Sequence, residues 1–501
     1  MAWPNPFRRH DENTRTYWGY TFQLTPEHLT PEQAHPLKYS YDVLGEECLN
    51  ILNELLPYEA TPSVPQPSGV PTLESGDSNA KTLPPGSESS KPIYKRPKRD
   101  LYTVLEANHA SHPKLDQLWT ELHTIPDWVS WPQIARGQDV FYRYGGANLT
   151  GLAYQSLLGG MGANRVVEVL ARTGGFNVKV ARHRLFETTQ HILECTRSLE
   201  SIQPGGAGFA SSIRVRLLHA SVRQRIMKLA ASRPDYYSIE QYGIPINDLD
   251  CIATIGTFSA TLLWLSLPRQ GIFPSEQETL DYIALWRLIA YYTGTPTDFF
   301  ETPTKAKAVM ESLLMNEINP SPTSAILANN IIRCLENTPP AYASRSFLEV
   351  SARWLNGNEL ADALKLGRPA PHYWLLIGGQ CLFFCSICYI YRVLAVIDWI
   401  LHTPEEKTWD RKKIELSKKV FWDVIVEGKY GLQGEKTVFE FKYVPELGRV
   451  GTEQGEEVEK RGERRDVEWR SAKTLVAVVL GFGVTGWVGI RVMRVMIGWV
   501  S

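Results

Sequence analysis

Between Asp100 and His402 apolar residues return at every third or fourth position. They do so in 115–123, 151–158, 164–171, 178–200, 211–231, 247–266, 277–293, 305–316, 322–336, 345–355 and 372–400. A helix turns once in about 3.6 residues, so this spacing gathers the apolar residues of each run on one face, which must be buried against a neighbour. Stops such as "IQPGGAG" and "YTGTPTD" divide the runs. The alternation of a strand is found only in "KTVFEFKYV", 436–444, after this body. With no internal repeat to suggest a solenoid, the pattern predicts one large all-α domain.

The flanks differ in kind. Residues 1–57 end in a helical stretch, "YDVLGEECLNILNELL", and are expected to pack on the core as an N-terminal extension. Residues 58–98 are rich in Pro, Ser, Gly and Thr and cannot bury enough apolar surface to offset their ordering entropy, so they are expected to be a disordered insertion. The helical domain is placed at 99–402 and a charged tail segment at 403–472. A transmembrane anchor is expected at 473–500, because 474–490 carries no charge and is about long enough to cross a thin bilayer. The run 373–391 is uncharged as well, but Gln380, its tyrosines and the Arg392/Asp398 pair suit a buried central helix better. The N-terminal "MAWPNPFRRHDENTR" has no apolar region of the secretory kind.

Charge and cysteine content exclude some classes. The net charge is −1 and no run interleaves Lys/Arg with aromatics, so no nucleic-acid partner is expected. Seven cysteines is an odd number, and Cys381, Cys385 and Cys388 crowd one apolar run with no fourth ligand nearby. Buried reduced thiols are the simpler reading. The sequence GGMG lacks the lysine and the preceding strand of a phosphate loop; close packing of helices, or of backbone on a flat ligand, accounts for its glycines.

One histidine stands out. In "SSIRVRLLHASVRQRIMKLA" His219 lies in a stripe with Val215, Val222, Ile226 and Leu229, flanked by Arg216 and Arg223. A neutral imidazole on an apolar face beside two guanidiniums suits an axial haem ligand, with an arginine meeting a propionate; an ordinary core histidine fits the same pattern. On the preceding helix Arg184, Glu187, Thr188 and His191 share a face, where they either serve a site or form an Arg184–Glu187 pair towards solvent.

The ordered segments "FYRYGGANLTGLAYQSLLGGMGANRVVEVLARTGG", "RHRLFETTQHILE", "IRVRLLHASVR" and "GIPINDLDCIATIGTFS" resemble the MpaB-type ER-bound oxygenases, a family that includes the latex-clearing rubber oxygenases. The resemblance implies an all-α, globin-like haem b fold with His219 as the axial ligand to iron. It places Arg184 and Thr188 near the distal side and makes Glu168, by its position, the candidate base. Rubber oxygenases carry Arg-x-x-Lys-Thr where this chain has Arg184-x-x-Glu187-Thr188. The implied activity is oxidative cleavage of C=C bonds in a lipophilic isoprenoid by O2, at a membrane such as the endoplasmic reticulum. The alternative is a helical membrane-associated scaffold that keeps the fold without turnover.

Overall fold

The helical periodicity is realised along almost the whole chain. The computed structural model describes residues 11–55, 100–174, 176–435, 437, 439 and 465–481. The insertion expected at 58–98 and the anchor beyond 481 lie outside these residues, as does most of the strand expected at 436–444.

The chain begins with a short hairpin that the periodicity does not announce. Strands β1 (Thr14–Tyr17) and β2 (Tyr20–Gln23) pair antiparallel, with Tyr17 opposite Tyr20. The two turn residues, Trp18 and Gly19, both have positive φ, 51° and 69°, as a tight hairpin of right-handed twist requires.

Helix α1 (Val43–Leu55) follows, then α2 (Trp131–Arg143), α3 (Asn164–Thr173), α4 (Val178–Thr196), α5 (Ala207–Ser232), α6 (Asp248–Phe258) and α7 (Glu276–Tyr292). The remaining principal helices are α8 (Pro303–Asn316), α9 (Pro322–Leu335), α10 (Arg345–Asn356), α11 (Pro371–Ile400) and α12 (Trp409–Phe421), and 466–481 is again helical. The fold of the described residues is thus all-α apart from one hairpin. Between α2 and α3 the chain runs through Gly145–Gly151 and a wide π-helical stretch, Leu152–Gly159.

The two largest apolar clusters hold most of these elements together. The larger joins α2, α5 and α7 through side chains such as Phe141, Phe209, Trp286 and Tyr292. The smaller joins α9 and α10 to the 152–159 stretch and α3. Helices α2 and α7 approach closely because residue 137 is glycine: a Cβ there would stand 2.3 Å from the Asp281 carbonyl. Helix α5 is central, with α4 on one flank and α1 on another. Ion pairs reinforce the packing of α5 on this side. Arg216 donates two hydrogen bonds to Asp42, at 2.7 and 2.8 Å, and a third to Glu121 at 3.0 Å, while Arg223 donates to Glu46 at 3.2 Å.

Helix α11 corrects an expectation. Its inner face packs through Ile377, Gln380, Cys381 and Cys388. Its outer face leaves Leu375, Ile390, Val393, Val396 and Trp399 exposed, Trp399 at 78%. Only 17% of its most apolar stretch is buried, so it is not a central core helix. All seven cysteines are free thiols.

Candidate active-site cavity

Where α3, α4, α5 and α6 converge on the 152–159 stretch they enclose a cavity of about 720 Å³, within the usual span of small-molecule sites. Its wall is largely aliphatic and aromatic, including Leu157, Leu185, Leu218, Ile255 and Phe384. Gly160 and Gly256 also line it, and a Cβ at either would meet nothing within 4 Å. Bare backbone therefore faces the cavity at both points. Other glycines of the same region are packing devices: at Gly146 a Cβ would strike the Phe384 ring at 2.5 Å.

Helix α5 presents Val215, Leu218, His219 and Val222 to the cavity, the i, i+3, i+4 and i+7 positions of one face. The Nδ1 of His219 is buried without a hydrogen-bond partner. Burial, and then the charge of Arg223, push its pKa down to about 4, so the ring is neutral at physiological pH. An imidazole nitrogen left alone in such a place costs on the order of 1–3 kcal/mol.

Arg216 and Arg223 do not share the cavity wall, contrary to the role expected of them. Both are buried against the N-terminal extension, Arg216 in the Asp42–Glu121 pairing and Arg223 between Glu46 and the Ile246 carbonyl with its guanidinium 4.5 Å from the Tyr41 ring. The helical wheel explains the difference. Val215 and Val222 lie on one side of His219 and the two arginines on the other, each within about 60° of it. The cavity occupies the valine side and α1 the arginine side.

Helix α4 brings the expected group together: Arg184, Glu187, Thr188 and His191 all line the cavity. Arg184 lies 3.5 Å from the Thr173 hydroxyl, and burial lowers its pKa to about 10 against the opposing pull of Glu187. Glu187 is buried and lies 3.4 Å from His183 Nε2. His191 is buried with Nδ1 2.9 Å from the Ser211 hydroxyl. Burial, and then His219, push its pKa down to about 4.

Glu168, expected in the site, is not among the residues that line this cavity. On α3 the cavity receives Val166, Val169, Leu170 and Thr173, and residue 168 points to another side. There Glu168 accepts from Arg172, one turn on, at 2.5 Å, and Arg172 in turn lies over the rings of Tyr236 and Tyr237.

Arg182 and Asp250 are among the polar wall residues that escaped the sequence reading. Arg182 lines the cavity and donates to the carbonyls of Pro339 and Tyr430, and burial lowers its pKa. Asp250, in the first turn of α6, also lines it, and burial raises its pKa to about 6 despite Arg165 Nη2 3.0 Å away. In sequence Asp250 reads as an acidic helix start, and only its depth marks it out.

The two histidines make a pH prediction. Both are protonated near pH 6.5 when unfolded but resist protonation when folded, so the unfolded chain takes up protons first as pH falls. Stability should be full above about pH 6.5 and decline steadily between about 6.5 and 4. Urea midpoints measured across that window should flatten in a His191→Phe variant. An unchanged slope would show that His191 is not kept neutral by the fold.

Residues 142–380 match the family profile described as ER-bound oxygenase mpaB/B'/rubber oxygenase, catalytic domain. Among solved structures, one described as latex clearing protein LCP in the closed state is similar at 16% identity, covering 62% of this chain and 80% of that one with a TM-score of 0.48. A comparison with curated proteins gave no match.

Proposed function

We propose that this chain, whose residues 142–380 belong to the ER-bound oxygenase mpaB/rubber oxygenase catalytic-domain family, is a haem b-dependent oxygenase. Its substrate is a lipophilic isoprenoid-type molecule, cleaved at a C=C bond by O2. The observation that carries this reading is His219, a neutral imidazole on the wall of an apolar cavity.

The residues fit such a cofactor. His219 would supply the axial nitrogen. Gly160 and Gly256 give bare backbone for a flat ring to approach. Arg182 and Arg184, which line the cavity, would meet the propionates, whereas Arg216 lies off the cavity wall.

Bound haem supplies the activation of O2. The chain's own residues do the rest. The aliphatic wall holds the prenyl chain and keeps water from it, and Thr188 and Arg184 offer hydrogen-bond donors on the α4 side. Glu187 is the carboxylate of that face, and its position suits removal of an allylic proton better than Glu168, whose carboxylate is held by Arg172. Cleavage puts one oxygen atom on each former alkene carbon, and the proton held by Glu187 returns to the allylic carbon, so that alkene and O2 together account for every atom of the two carbonyl products.

Two substitutions test the assignment of the base. Glu187→Gln should retain haem and lower turnover of a polyprenyl substrate by about 10²-fold or more, the usual worth of general-base catalysis. Glu168→Gln should leave turnover within a few-fold of wild type. The reverse pattern in oxygen-consumption assays would return the role to Glu168.

The membrane association is proposed to rest on the C-terminal anchor at 473–500, with the endoplasmic reticulum as its site. If the protein binds no haem, the fold serves as a membrane-associated scaffold instead.

A further inference from the structure

We infer that α11 and the 466–481 helix form a bilayer-facing wall, and that the cavity reaches the lipid between them. This rests on the proposed lipophilic substrate for its purpose, but the observations are independent of turnover.

The first observation is a face without a partner. Along α11, Leu375, Leu382, Tyr389 and Val396 recur every seven residues, and Ile390, Val393, Ile397 and Ile400 widen the stripe; all are exposed. A helix of thirty residues is about 45 Å long, so the stripe is far larger than the scattered apolar residues of an ordinary surface. Arg392 is drawn to the other side, where it pairs with Glu278 at 3.3 Å and reaches the Phe273 carbonyl at 3.0 Å, so no charge interrupts the outer face there.

The second observation says what covers it. The 466–481 helix packs on α11, so closely that a Cβ on Gly379 would stand 2.5 Å from the Ser471 carbonyl. Its own Val476, Val479 and Leu480 are exposed at 58%, 67% and 63%. The sequence then stays uncharged to Ile490. A second copy of the chain could cover the α11 stripe, but a bilayer serves both the stripe and the uncharged run that follows in the sequence. Lys412 and Trp409 at the start of α12, with the cation 4.7 Å from the ring centre, have the chemistry of a membrane–water boundary.

The third observation connects this wall to the site. Gln380 and Phe384 of α11, and Val467 and Arg470 of the 466–481 helix, line the cavity from within. Arg470 is at once a cavity residue and an exposed one, which marks where the cavity meets the surface. Its guanidinium lies 4.9 Å from the Phe383 ring centre and 3.4 Å from the Gln380 amide oxygen, forming a polar latch over an apolar passage. A lipid-soluble molecule can then pass from the bilayer to His219 without crossing water.

The test uses the full chain in phosphatidylcholine vesicles with an apolar carbene precursor dissolved in the acyl region, and mass spectrometry to map the label. Leu382, Ile390 and Val393 should be labelled, together with the cavity residues Leu157 and Leu185. An Ile390→Glu/Val393→Glu double variant, at exposed positions that keep the circular dichroism spectrum unchanged, should lose at least about fivefold of the stripe labelling. A stripe left unlabelled, or cross-linked to a second copy, overturns the bilayer assignment. Cavity labelling no greater from vesicles than from the precursor offered in lipid-free buffer overturns the passage. Neither readout needs haem or catalysis, so a failure of the oxygenase reading would leave these results standing.

Discussion

His219→Ala is expected to abolish haem retention. Wild-type protein produced with haem available should show a Soret band, and the variant should lose it while its far-ultraviolet circular dichroism stays helical. The reason is local. On α5 the neighbours of His219 that face the cavity are Val215, Leu218 and Val222, none of which can donate to iron. His191 is the other cavity histidine, but its Nδ1 is engaged with Ser211 on the adjoining helix. Loss of the ring should not unfold the protein, because removing it also removes an unpartnered buried nitrogen. Wild type without a Soret band would end the haem reading. Full haem occupancy in His219→Ala would move the ligand elsewhere, with His191 the next residue to replace.

The largest stability effect should come from Asp42→Ala. Arg216 is 3% exposed and depends on Asp42 for two of its three charge-assisted hydrogen bonds. Removing the carboxylate leaves a buried cation under-compensated, and such losses cost about 3–5 kcal/mol. Replacing both partners by apolar residues, Asp42→Leu with Arg216→Met, should recover much of that, since Glu121 is partly exposed and can turn to solvent. Urea denaturation of the two variants measures the difference. The same pair separates two roles for Arg216. If it only ties the N-terminal extension to α5, the double variant keeps its haem affinity. If it meets a propionate, affinity falls with the arginine whatever becomes of stability.

Much of this protein was legible in its sequence. The three- and four-residue spacing is a property of single helices, so the all-α fold could be read from it directly. The grouping of Arg184, Glu187, Thr188 and His191 was legible for the same reason, as was the stripe containing His219. The hairpin of β1 and β2 was not, because four-residue strands carry too short a pattern and their turn is made by Trp18 with Gly19 rather than by Asn-Gly.

What the tertiary structure alone decided is which neighbour covers each arc of a helix. A helical wheel fixes the angle of Arg216 relative to Val215, but Asp42, far away in sequence, determines that the arginine arc is covered by the N-terminal extension and the valine arc by the cavity. The same limit placed Glu168 beside Arg172 and outside the cavity, and brought Asp250 and Arg182 into it. It also turned the uncharged run of α11 from a core helix into one with an unburied apolar face, because composition records how much apolar surface a helix has and only packing records how much of it finds a partner.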